Sequence, residues 1–100
     1  MLVLFVTAAA GAAADDLTPR QARLFQVTCA ACHVRPDTGA PLVGQADAWG
    51  SERGLETLLR NTVDGVGRMP PLGGCGACSE ADLRALIRFM AGIAEPESTR

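Results

Sequence analysis

The chain has 100 residues, 48% of them hydrophobic, and a net charge of −2 built from nine arginines, no lysine and eleven acids. That length suits one domain, and the lack of any basic stripe excludes recognition of nucleic-acid phosphates. The run from Met1 to Ala14 is uncharged and apolar and ends Ala12-Ala13-Ala14 before Asp15-Asp16. It has the apolar region and small-residue cleavage site of a secretory signal, although no Lys or Arg follows Met1. It is also shorter than the roughly 20 residues a membrane span needs. The expectation is a signal peptide over 1–14 and a domain over 15–100, exported to an oxidising compartment where a disulfide persists. That domain keeps only Phe25, Trp49 and Phe89 as aromatics, so its core is marginal without a staple such as a metal, a disulfide or a large cofactor.

Thr18-Pro19 reads as an N-cap followed by proline at the first helical position. The helix it opens is expected to end near Thr28 or Cys29, with Phe25 one turn before Cys29 on the same face. Cys29-Ala30-Ala31-Cys32-His33 is a C-x-x-C-H run, the pattern of c-type haem attachment. Two thiols at that spacing form thioethers to the two vinyl groups of one haem, and the histidine directly after them is held under the iron. Zinc is the competing use of such cysteines. From Val34 to Gly50 the glycines and prolines indicate an irregular loop. A second helix is expected from Ser51 or Gly54, carrying Leu55, Leu58, Leu59 and Val63, and stopped by Gly65 and Gly67. Met69-Pro70-Pro71-Leu72-Gly73-Gly74 excludes regular structure, since consecutive prolines lack donors and fix φ. Ser79 opens the last helix with Asp82 as its capping-box partner. Leu83, Leu86, Ile87 and Met90 form its apolar stripe, with Phe89 beside it. No segment reads as a strand or a repeat. The fold class is all-α, three to four helices with long loops.

The ligand set follows from elimination and context. His33 is the sole histidine, and its second ring nitrogen should donate to a backbone carbonyl, supplied by Pro41 or Leu42. A sixth ligand of the methionine type raises the potential of a low-spin haem. Met90 fits the apolar stripe as a core residue, which leaves Met69, in a loop stiffened by prolines, to present its sulfur. Cys75-Gly76-Ala77-Cys78 lacks a following histidine and so does not mark a second haem. It suits a structural disulfide, a dithiol redox centre, or zinc shared with Cys29 and Cys32. The 42 residues between the two pairs exceed the roughly 15–20 of common zinc ribbons.

Together these motifs resemble the class I cytochromes c, in particular the short bacterial c-five branch. The resemblance rests on Cys29-Ala30-Ala31-Cys32-His33, Gly39-Ala40-Pro41, Trp49 with Arg53, and the block Met69 to Cys78. It implies a small cytochrome c-like domain wrapped round one covalent haem c with its iron. It further implies Cys29 and Cys32 as thioethers, His33 and Met69 as axial ligands, and a Cys75–Cys78 disulfide. Pro41 would hold His33 through its carbonyl, and Phe25 would sit where the first and last helices cross. Trp49 and Arg53 would reach the haem propionates, by indole donor and by charge. Gln21 stands where family members often have glycine, which implies a crossing shifted toward Ala22 or more open. The implied function is a periplasmic single-electron shuttle between weakly bound redox partner proteins, one of them a membrane-bound oxidase or reductase, with no catalytic residue. The alternative is a tightly bound electron-transfer subunit of an oxidoreductase. A docking surface would have to use arginines, such as Arg35, Arg53, Arg60 and Arg68.

Overall fold

The computed structural model describes residues 17–50 and 53–94. The signal expected over 1–14 lies outside them, as does Ser51. Helix α1, Pro19–Leu24, is capped by Thr18, whose hydroxyl accepts from the Gln21 amide while the Gln21 side chain accepts from the Thr18 amide. The chain does not stop there. It continues through a π-helical turn, Phe25–Cys29, into α2, Ala30–His33. The expected end at Cys29 is therefore corrected by one further turn, because alanines 30 and 31 are strong helix formers and the first breaker is Pro36. In the π turn the Ala30 amide reaches back to the Phe25 carbonyl, and the Thr28 hydroxyl donates to the Leu24 carbonyl at 2.7 Å.

The loop after His33 holds two short 3-10 turns, Pro36–Thr38 and Ala46–Trp49. Helix α3, Leu55–Asp64, starts from Gly54 and ends at Gly65. It buries Leu58 and Leu59, whereas Val63 stays 40% exposed. A further 3-10 turn, Pro71–Gly74, leads through Cys75–Cys78 to α4, Glu80–Ala91. Among the described residues the only bridge pairing is Val66 with Met69, so the all-α reading holds.

Helix α4 is the centre of the molecule, and its apolar stripe serves two sides. Leu83, Ile87 and Ala91 pack on Leu58 and Leu59 of α3. Ala85, Leu86 and Met90 pack with Leu17, Phe25 and Phe89 on the other side. The Phe25 and Phe89 rings meet edge to face with centroids 5.3 Å apart, as expected for the crossing of first and last helices. Gln21 takes part in that crossing through a polar contact. Its Nε2 donates to Asp82 Oδ1 at 3.1 Å, and Arg20 Nη1 donates to Asp82 Oδ2 at 2.7 Å, so polar side chains bridge where glycine would allow contact. Ala22 joins the apolar cluster beside them. On the far face Arg84 binds Glu56 through two nitrogens, at 2.6 and 3.1 Å, and ties α3 to α4.

Candidate functional site

The continuous helix from Pro19 to His33 delivers the cysteines and the histidine from one rigid element. Cys29 and Cys32 are both unpaired, the first half-buried and the second exposed. Burial pushes the Cys29 thiol up, against a weaker opposing contact from the Thr28 hydroxyl. His33 is buried, with 7% of its surface exposed. Its Nδ1 lies 2.7 Å from the Pro41 carbonyl. A carbonyl only accepts, so Nδ1 carries the proton, and in the neutral ring Nε2 is the nitrogen with the lone pair. The Leu42 carbonyl, the other donor target considered from the sequence, is taken by Trp49 Nε1 at 2.8 Å.

Four consecutive residues form a clamp around His33, and only the first was legible as such. Pro41 holds the ring. Leu42 holds Trp49. Val43 donates its amide to the His33 carbonyl at 3.0 Å, and Gly44 donates to the Met90 carbonyl at 2.9 Å. The indole N–H of Trp49 is engaged by the Leu42 carbonyl, and its ring stacks on the His33 ring, centroids 4.7 Å apart and planes 26° apart. Arg53 is exposed just before α3, its amide bonded to the Gly50 carbonyl at 2.9 Å.

Met69 sits at the end of a tight two-residue turn. Val66 and Met69 exchange both backbone hydrogen bonds, at 3.1 and 2.8 Å. Gly67 between them has φ of +56° while Arg68 keeps a negative φ, the pattern of a type II′ turn. Two glycines then fit the methionine into place. At Gly65, with φ of +87°, an added Cβ would come within 2.9 Å of the Met69 carbonyl oxygen and 3.0 Å of the Pro71 nitrogen. At Gly73 it would meet the Met69 methyl at 3.2 Å. Leu72, with φ of +62°, is the one non-glycine residue in the left-handed region among those described. The following turn, Pro71–Gly74, passes beside the π turn that bears Cys29. Met90, by contrast, is 4% exposed in the core of α4, as its place in the apolar stripe predicted.

The sulfurs of Cys75 and Cys78 lie 1.99 Å apart, at disulfide distance, an arrangement that does not suit zinc shared with Cys29 and Cys32. Among the described residues no group of three or more His, Cys, Asp or Glu side chains gathers as a metal site. The donors present are two free thiols, one imidazole with an oriented lone pair, and one thioether on a stiff loop. That set fits a covalently attached haem and suits a structural zinc poorly, since zinc prefers four Cys or His donors.

Comparisons with known proteins point to one family. The family model described as cytochrome c oxidase, cbb3-type, subunit III matches residues 16–90. Cytochrome c5 of Ectopseudomonas mendocina is 36% identical over 85 residues, which span 80% of this chain and 88% of that protein. Cytochrome c5 of Azotobacter vinelandii is 39% identical over 69 residues, covering 65% and 83% respectively. Among solved structures, the fold is similar to a chain in the crystal structure of an electron transfer complex of nitrite reductase with cytochrome c. The TM-score is 0.64 at 36% identity, over 75% of this chain and 94% of that one. The C-x-x-C-H helix, the three-helix core and these similarities converge: the chain belongs to the small class I monohaem c-type cytochromes, whose haem c is covalently attached.

Proposed function

We propose that the protein is an exported, periplasmic electron carrier that passes single electrons between weakly and transiently bound donor and acceptor proteins. In this reading Cys29 and Cys32 hold the haem by thioethers, and His33 and Met69 are the axial ligands. Pro41 orients His33, and Arg53 offers its charge to the propionates. The haem supplies reversible one-electron chemistry. The polypeptide supplies orientation, a buried apolar surround and a methionine that raises the potential. The observation that carries the reading is the His33 geometry: a buried ring whose Nδ1–H is committed to Pro41 and whose other nitrogen is a ready ligand. With both axial positions filled, no side chain is called on to act on a substrate, and the protein is not an enzyme. A small, transient contact is the rule for such redox encounters, burying less than about 1,200 Å². The solved cytochrome held in a complex with nitrite reductase supports partners of this kind.

Carbon monoxide tests the filled coordination shell. The ferrous protein at neutral pH should keep its spectrum when the gas is added. A prompt change would show an open or labile position and favour a sensor or an enzyme. One observation favours a second reading, that of a fixed electron-transfer subunit: the matching family model is named for an oxidase subunit. Purification in moderate salt separates the two, since a shuttle elutes alone and a subunit stays with its enzyme.

A further inference from the structure

His33 is restrained by two contacts of different kind. The hydrogen bond from Nδ1 to the Pro41 carbonyl, 2.7 Å, fixes the direction in which the ring points. Together with the tether through Cβ, it leaves the ring's plane free only within the angular play of one N–H···O bond. The second contact acts on that play. The indole of Trp49 lies against the imidazole face with 4.7 Å between centroids and 26° between planes. Trp49 is anchored in turn, its Nε1–H donating to the Leu42 carbonyl at 2.8 Å, and it packs into both apolar clusters of α4. Adjacent carbonyls thus hold the two stacked rings.

We propose that Trp49 is a positioning residue for His33: anchored on the Leu42 carbonyl, it sets the plane of the imidazole by stacking. The inference rests on reading His33 as an axial ligand. The plane of an axial imidazole governs how unpaired spin spreads over the four pyrrole rings of a ferric haem. Proton NMR reads that spread in the order and range of the haem methyl shifts, which a purely structural role for Trp49 would not move.

The test compares holoproteins of the wild type, Trp49→Phe and Trp49→Leu. Phenylalanine keeps an aromatic face against His33 without the N–H, and should preserve the order of the ferric haem methyl resonances. Leucine removes the stack, and should reorder those resonances and speed solvent exchange of the His33 Nδ1 proton several-fold in the ferrous protein. If Trp49→Leu gives no stable holoprotein, Trp49→Met, of similar volume and no ring, replaces it in the same comparison. Wild-type methyl order and exchange in the ringless variant would overturn the proposal. So would equal changes in Trp49→Phe and the ringless variant, which would assign the effect to the indole N–H. Failure of the underlying reading is distinct: it would show as normal haem spectra in His33→Ala, whatever the Trp49 variants do.

Discussion

Met69 leaves the backbone from a turn closed by two hydrogen bonds to Val66, so its sulfur is aimed by the chain more than by neighbouring side chains. Met69→Ala should lower the reduction potential and let the ferrous protein bind carbon monoxide; an unchanged potential would remove Met69 as a ligand. Gly65→Ala tests the same aim from the opposite side. Its backbone, φ +87° and ψ 149°, is a conformation nearly confined to glycine, and forcing alanine into it costs about 1–3 kcal/mol. The new methyl would also press on the Met69 carbonyl at 2.9 Å. Thermal denaturation should show the loss of stability. The far-red methionine-to-iron band of the ferric protein should fade at lower temperature than in the wild type. In the sequence, Gly65 read only as a helix stop. Its second duty depends on the approach of a loop four residues away, which local pattern does not encode. The same limit hid Val43, whose amide holds the His33 carbonyl, and the engagement of the Leu42 carbonyl with Trp49 instead of His33.

At the scale of elements, termini and faces were the legible part. The N-cap at Thr18 and the capping box of Ser79 with Asp82 stand where the residue types placed them, and Gln21 completes a second box at Thr18. The stripe on α4 is buried as its spacing required. The π turn was not legible, since its widened hydrogen-bond ladder follows from how Phe25 and Cys29 must face α4 and the site together. Nor was the role of Gln21, which meets Asp82 only once α1 crosses α4. Asp82 now joins the two helices. It accepts from the Ser79 amide, from Arg20 and from Gln21, and its side chain is 7% exposed. The Ser79 amide first, then Arg20 and Gln21, hold its carboxyl well below the usual carboxylate range. A folded pKa below the unfolded one gives stability that is present above the unfolded value, about 3.9, and is lost as pH falls from there toward the lower folded value. The wild type should therefore lose melting temperature progressively once the pH falls below about 4, near that unfolded pKa. In Asp82→Asn the same acid limb should be flatter, from a lower starting point. Parallel limbs in the two proteins would show that other carboxylates carry the acid sensitivity.

In the whole molecule, few apolar residues are asked to hold long loops, and covalent links compensate. The Cys75–Cys78 bond joins the methionine loop to the start of α4, and Cys78 touches both apolar clusters. It closes a very short loop, so the chain-entropy contribution is at the low end, about 2 kcal/mol. Replacing both cysteines with alanine should lower stability by about that amount while leaving the visible spectrum nearly intact. Loss of the methionine band in that variant would show that the bond aims the ligand as well as bracing the fold. Among the described residues no helix is long and apolar enough to cross a membrane.

The central claim is one covalent haem per chain ligated by His33 and Met69. The most direct test is a visible spectrum of protein made with haem-maturation machinery, recorded oxidised and then reduced, with pyridine haemochrome analysis of the same sample. The account predicts one c-type haem per chain, a sharp reduced α band, and a weak far-red band in the oxidised form. Haem without the far-red band would contradict methionine ligation, and a colourless protein holding another metal would contradict the account as a whole.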